Sequence, residues 1–161
     1  MKNAPENRAK GKKAENRTET APPAGNFMTI DGQRVEFEPG ETIYGVAIRH
    51  DIYIPTLCYL EGFIASGSCR FCVVEVEGRP ALVASCSYPA EPGLVINTHS
   101  ARVIEARRTI IGLLLADHPG DCLACARSDA CRLQTLAAEL DVHKRRSYKA
   151  RPHHELDTAS P

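Results

Sequence analysis

All seven cysteines and one of the six histidines fall into two groups whose spacing is typical of metal ligands. The first group is Cys58, Cys69, Cys72 and Cys86. The close pair Cys69 and Cys72 can place two thiolates on one iron, and Cys58 and Cys86 would then reach a second iron through the fold. Four thiolates around two irons form a [2Fe–2S] site. The small residues at 66–68 support this interpretation, because backbone N–H groups can approach the bridging sulfurs there.

Two other interpretations of the first group stay open at this point. A structural zinc site also takes four cysteines, but it usually has two close pairs, whereas this group has one. A disulfide framework is the other alternative. The odd number of cysteines and the absence of a recognisable export signal both argue against it.

The second group is His118, Cys122, Cys125 and Cys131. Three thiolates and one imidazole can hold the four irons of a [4Fe–4S] cluster, and the Pro-Gly pair at 119–120 allows a sharp turn after the histidine. The same residues could hold zinc, since three cysteines and one histidine are also a zinc ligand set. If His118 binds iron, its neutral imidazole leaves the cluster less negative than a thiolate would, which raises the reduction potential.

Short strands alternate with turns over the first hundred residues, and helical periodicity follows. Asp31-Gly32 predicts a hairpin between two of the strands. Ser100 is a predicted N-cap, and Pro119 should end the following helix. An apolar stripe is predicted on that helix at Val103, Ala106, Ile110, Leu113 and Leu114. Strands are predicted at 26–30, 34–38, 73–77, 81–85 and 94–98, and helices at 41–50, 101–117 and 132–142.

These elements predict an α+β chain in four parts. Residues 1–25 have almost no large apolar side chain and are expected to form a flexible tail. Residues 26–100 form the expected four-cysteine domain, and residues 101–145 form a small helical domain with the histidine and three cysteines. Residues 146–161 are charged and are expected to form an exposed arm.

Charge and hydropathy exclude several classes of protein. The chain has 20 basic and 20 acidic residues, and the basic ones lie mostly towards the ends, so nothing indicates nucleic-acid binding. The longest apolar run, residues 110–116, is far shorter than the roughly 20 residues of a membrane span. The N-terminus has no apolar secretory segment, and its glutamates are unlike a mitochondrial presequence. We therefore expect a cytoplasmic protein.

The two motifs together resemble a known family. The stretches GSCRFCVVEV (67–76), LLLADHPGDC (113–122) and CRLQ (131–134) resemble the N-terminal iron–sulfur module of the large iron–sulfur subunit of respiratory complex I. The same module is found in many [FeFe]-hydrogenases, in the diaphorase small subunit of NAD-linked hydrogenases and in some formate dehydrogenases. The resemblance covers residues 27 to 142.

The resemblance implies a β-grasp, ferredoxin-like [2Fe–2S] domain followed by a small helical [4Fe–4S] domain with one histidine and three cysteine ligands. One departure from plant-type ferredoxins is that ten residues, not four, separate the first two cysteines. In longer relatives further Cys-rich repeats follow, whereas this sequence ends at Pro161. The chain thus resembles the electron-input module as a separate subunit of a hetero-oligomer, with a flavin/NAD(P)H-binding subunit and further iron–sulfur or catalytic subunits as partners.

The expected function is electron transfer within a multi-subunit NAD(P)H-linked oxidoreductase of hydrogenase, electron-bifurcating transhydrogenase or formate dehydrogenase type. No G-x-G-x-x-G motif follows a predicted strand, so no substrate-converting site is expected on this chain alone. The alternatives are a free ferredoxin-like electron shuttle and a zinc-stabilised interaction module.

Overall fold

The structure is a computed structural model that describes residues 25–118 and 122–143. The expected N-terminal tail, apart from Gly25, and the expected C-terminal arm lie outside these residues. The described elements are β1 (Phe27–Ile30), β2 (Gln33–Glu36), α1 (Ile43–Arg49), β3 (Val73–Val76), β4 (Val83–Ala84), β5 (Val95–Asn97), α2 (Ala101–Asp117), a short 3-10 helix (Ser128–Ala130) and α3 (Arg132–Glu139).

The five strands form one mixed sheet in the order β2-β1-β5-β3-β4. β1 pairs with β5 in parallel, and the other neighbours pair antiparallel. Helix α2 packs on β3, and α3 packs on α2. A sheet domain followed by a small helical region confirms the predicted α+β fold. No helix in the described part of the chain is long and apolar enough to cross a membrane.

The predicted hairpin between β1 and β2 is confirmed. Asp31 and Gly32 both have positive φ angles, 49° and 83°, which a two-residue hairpin turn requires. The Asp31 carboxylate also accepts hydrogen bonds from the buried Thr98, including its backbone N–H at 2.7 Å. The hairpin turn is thereby tied to the segment that leads into α2.

Helix α1 is shorter than the predicted 41–50, because each end is closed by a cap. The Thr42 hydroxyl accepts the Gly45 N–H at 3.1 Å, so the helix begins at Ile43. His50 is the C-cap, as expected of a helix-end residue. Ile43 and Val46 are fully buried against the sheet.

Helix α2 has the predicted bounds. The Ser100 hydroxyl accepts the Val103 N–H at 3.3 Å, and His118 takes an extended conformation after the last helical residue. The predicted stripe was partly wrong, because Leu113 is 50% and Leu114 38% exposed. The buried face instead follows i, i+4, i+8 spacing through Val103, Arg107 and Ile111.

Two clusters of buried apolar side chains hold these elements. The larger one lies between α1 and the sheet and includes Cys72 and Cys86. The smaller one joins the loop before β3 to α2 and α3 through Phe71, Ile111 and Leu136. Helix α3 ends at Glu139, three residues before the predicted end, and the positive φ of 56° at Asp141 turns the chain away.

Candidate functional site

The first ligand group converges at the end of the sheet where β3 begins and β4 ends. β3 and β4 are antiparallel with Val73 opposite Ala84, so Cys72 before β3 lies near Cys86 after β4. Ser85 fixes this junction, because its N–H and its hydroxyl both donate to the Cys72 carbonyl, at 3.1 and 2.8 Å. The strand register therefore brings together cysteines that are fourteen positions apart in the sequence.

The four thiols differ in exposure. Cys72 and Cys86 are each 2% exposed and belong to the apolar core, whereas Cys69 is half-buried and Cys58 is exposed. The site thus extends from the interior to the surface, and Cys58 forms its outer edge.

The thiols contact one another as two pairs, Cys58 with Cys69 and Cys72 with Cys86. This differs from the pairing expected from the spacing, which joined Cys69 to Cys72. A turn lies between those two residues, and Arg70 within it has a positive φ of 56°. In the described part of the chain, no three His, Cys, Asp or Glu side chains are close enough to share one metal ion.

The electrostatic surroundings of the pairs differ. The backbone N–H of Cys69, with a smaller contribution from the Ser66 hydroxyl, lowers the pKa of Cys58. Burial raises the pKa of Cys69. Burial, followed by contact with Cys72, raises the pKa of Cys86 to about 12. Four thiolates in this space require compensating positive charge, which iron would supply.

Gly67 allows the loop to pass close to the segment that follows β4. Its φ is +64°, and a Cβ there would lie 2.9 Å from the Ser87 Oγ. The neighbouring hydroxyls of Ser66 and Ser68 bond to each other at 2.9 Å. Gly67 is therefore required for the close approach to Ser87, while the expected approach of backbone N–H groups to the bridging sulfurs stays a prediction. The four side chains of the first group offer only sulfur as a donor atom, and the loop before Cys69 is tight and partly buried. Both features suit an iron–sulfur cluster.

The second ligand group lies between α2 and α3. His118 is the exposed C-cap of α2, and Cys131 is the half-buried N-cap residue of α3. Between them, the Cys125 N–H donates to the Cys122 carbonyl at 3.3 Å, and both side chains are exposed. The three cysteines lie on one segment rich in turns, and His118 lies at the end of α2. Residues 119–121, which connect His118 to this segment, are outside the described residues.

One cavity connects the two groups. Its volume is about 470 Å³, and its wall includes Cys58 and Cys69 from the first group and His118 from the second. Leu57, Leu114 and Leu133 line the remainder with Asp117. The first group's outer edge therefore faces the end of α2 where the second group begins.

Sequence reasoning missed Arg107, which lies directly behind Cys72. Arg107 is 2% exposed, and its guanidinium donates to the carbonyls of Phe71 and Val73. The spacing could have indicated that Arg107 is buried, because it lies four residues after Val103 and four before Ile111. All three residues are on the buried face of α2.

Two family descriptions match the chain in succession. Residues 27–101 match a 2Fe-2S iron-sulfur cluster binding domain, and residues 107–146 match the NADH-ubiquinone oxidoreductase-G iron-sulfur binding region. These matches confirm the two expected cofactors, since the matched domains bind [2Fe–2S] and [4Fe–4S] clusters.

Curated relatives agree with both matches. The chain is 49% identical over 122 residues to the NADP-reducing hydrogenase subunit HndD of Solidesulfovibrio fructosivorans, covering 73% of this chain and 21% of that protein. It is 41% identical over 112 residues to the mitochondrial NADH-ubiquinone oxidoreductase 78 kDa subunit of Neurospora crassa, covering 70% of this chain and 15% of that protein. The chain thus spans about a fifth or less of the length of these relatives.

A solved structure shows the same fold. An NAD+-reducing [NiFe]-hydrogenase in the H2-reduced state contains a chain that superposes with a TM-score of 0.73 at 35% identity. The match covers 84% of this chain and 57% of that one. The chain therefore belongs to the family of paired [2Fe–2S] and [4Fe–4S] modules found in the complex I G subunit and in NAD(P)-linked hydrogenases.

Proposed function

We propose that each ligand group holds one cluster. Cys58 and Cys69 would bind one iron of the [2Fe–2S] cluster, and Cys72 and Cys86 the other. The convergence of these four thiols as two contacting pairs supports this assignment. The [4Fe–4S] cluster would be held by His118, Cys122, Cys125 and Cys131, within the segment that matches the second family description.

Each cluster, when bound, supplies a centre that accepts and returns a single electron. The protein's part is to hold the ligands and to control access of water. Cys72 and Cys86, at 2% exposure, keep one side of the first site dry. On the other side, the exposed Cys58 lines the cavity that His118 also lines. With both clusters bound, an electron passing between them would cross the region of this cavity, which Cys58, Cys69 and His118 line together.

The chain would act as an electron-transfer subunit of a hetero-oligomeric NAD(P)H-linked oxidoreductase. It would relay electrons between a flavin-containing subunit and another iron–sulfur or catalytic subunit, in a hydrogenase, a transhydrogenase or a formate dehydrogenase. The observation that carries this proposal is the presence of both ligand groups, in order, in one chain. The names of the relatives support it, since they are subunits of NADP-reducing hydrogenase and NADH-ubiquinone oxidoreductase. A reducing cytoplasm suits such thiolate ligands.

Iron and acid-labile sulfide analysis of anaerobically purified chain tests the cluster assignment. The expected content is about six irons and six sulfides per chain, from one two-iron and one four-iron cluster. Zinc in place of iron would instead indicate an interaction module, and about two irons would remove the second site.

Size-exclusion chromatography of the native material, with mass spectrometry of co-eluting chains, tests the subunit assignment. We expect a flavoprotein in the same peak. Elution of the chain alone from freshly lysed cells would favour the free electron shuttle.

A further inference from the structure

Arg107 is a charged side chain in an apolar setting. It extends from the middle of α2 towards the start of β3 and is 2% exposed. Its guanidinium bonds to the backbone of Phe71, a member of the smaller apolar cluster, and lies near Cys72. Burying a guanidinium costs several kcal/mol unless hydrogen bonds or an opposite charge compensate it. The question is what compensates the charge of Arg107.

Hydrogen bonds account for part of the compensation. The Arg107 Nε donates to the Phe71 carbonyl at 3.2 Å, and its Nη2 donates to the Val73 carbonyl at 2.8 Å. These two carbonyls flank Cys72, so the planar guanidinium spans the backbone of that residue. Ser85 holds the Cys72 carbonyl itself. The carbonyls of Phe71, Cys72 and Val73 therefore all accept hydrogen bonds, which fix the backbone around Cys72.

Arg107 forms no ion pair with a carboxylate among the described residues. The ion pairs among the described residues involve other arginines and histidines, and none includes Arg107. Burial lowers the pKa of the guanidinium, and the opposing influences are, from the largest, the negative charges of Cys72, Tyr53 and Asp31. An arginine nevertheless stays protonated at neutral pH. Cys72 belongs to the first ligand group, so this group carries the negative charge that acts most strongly on Arg107.

We propose that Arg107 is a positioning residue whose buried positive charge raises the reduction potential of the [2Fe–2S] cluster. Taking up one electron adds one negative charge to the cluster, and no proton is required. A fixed cation behind Cys72 favours that reduced form, and the low-dielectric surroundings weaken this attraction little. The proposal rests on the assignment of Cys72 as a ligand.

The competing explanation is purely structural. Arg107 could matter only because it anchors α2 to β3 through two hydrogen bonds. Charge and hydrogen bonding can be separated by two substitutions. Arg107→Lys keeps the charge with a different donor geometry, whereas Arg107→Gln keeps a donor and removes the charge. Arg108→Gln is the matched control, because Arg108 is exposed on the same helix and also donates to a backbone carbonyl, that of Leu140.

The experiment is an EPR-monitored redox titration of the full-length, cluster-loaded chain and the three variants. At a fixed potential we expect Arg107→Gln to shift the ratio of oxidised to reduced [2Fe–2S] at least tenfold towards the oxidised form, which is about 59 mV for one electron. Arg107→Lys should shift it much less, and Arg108→Gln should leave it unchanged. The shift in Arg107→Gln should also persist in high salt, since a buried charge is poorly screened.

Three results would overturn the proposal. They are an unchanged midpoint in Arg107→Gln, an equal shift in the Lys and Gln variants, and an equal shift in the exposed control Arg108→Gln, any of which would leave Arg107 with an anchoring role alone. Failure of the ligand assignment would look different, because the wild-type chain would then give no [2Fe–2S] signal to titrate.

Discussion

Cys58 and Cys86 show how one site can combine opposite surroundings. The N–H of Cys69 lowers the pKa of the exposed Cys58, while burial and Cys72 raise that of Cys86 to about 12. Without metal, the raised pKa favours the protonated thiol at Cys86, whereas the lowered pKa favours the thiolate at Cys58. Iron would have to displace the proton of the Cys86 thiol on binding.

His118 is the residue at which the second site can be tested most sharply. If it ligates the [4Fe–4S] cluster, His118→Cys should retain the cluster, because a thiolate can occupy the same position on iron. The added negative charge should lower its potential. His118→Ala should weaken or abolish this cluster while the [2Fe–2S] signal persists. EPR-monitored titration of both variants measures these outcomes.

The internal control for His118 is the first cluster in the same sample. A [4Fe–4S] midpoint that stays unchanged in His118→Cys would show that another group completes the second ligand set. His118 would then be only the residue that ends α2.

At the scale of elements, α2 joins the two sites. Ile111 lies in its middle, is fully buried and belongs to the cluster formed with Phe71 and Leu136. Truncating such a side chain to alanine costs about 2–5 kcal/mol. We expect Ile111→Ala to lower the apparent Tm by on the order of 10 °C. Visible absorbance should be lost at the same lower temperature, because the loop before β3 and α3 both pack on this residue.

Leu113→Ala is the matched control for this substitution. Leu113 lies two residues further along α2 but is 50% exposed, so the change in stability should be small. Equal Tm values for the wild type and Ile111→Ala in a melting curve would contradict the packing described for α2.

Capping and turn chemistry made several elements predictable from the sequence. Ser100 and Pro119 gave both ends of α2, and Asp31-Gly32 gave the hairpin. The proximity of Cys72 to Cys86 was not predictable, since it depends on the β3–β4 register, and the prediction that Cys69 and Cys72 share one iron stays a prediction. Arg107 was missed because a charged residue is normally assigned to the solvent face of a helix, and only the packed structure identifies the carbonyls that compensate it.

At the scale of the whole molecule, the proposed function requires other chains. The sequence contains no recognisable nucleotide-binding motif, so we expect the purified chain not to reduce viologen dyes with NADH. Addition of the flavin-binding partner should restore dye reduction. An anaerobic spectrophotometric assay measures both states, with dithionite-reduced chain as the control that its clusters are redox-active.

Dye reduction with NADH by the chain alone, free of flavin, would reveal a nucleotide site that the sequence conceals. The chain would then be an oxidoreductase in its own right and not a relay.

The parallel pairing of β1 with β5 bears on the timing of biosynthesis. Thr29 lies opposite Val95, so the centre of the sheet cannot close until the ribosome has released the chain beyond that point. All four cysteines from 58 to 86 are made earlier and lie within the loop that this pairing closes. Contacts so distant in sequence form slowly. Since Cys72 and Cys86 are each 2% exposed in the finished fold, we expect an iron donor to reach them more readily during that interval.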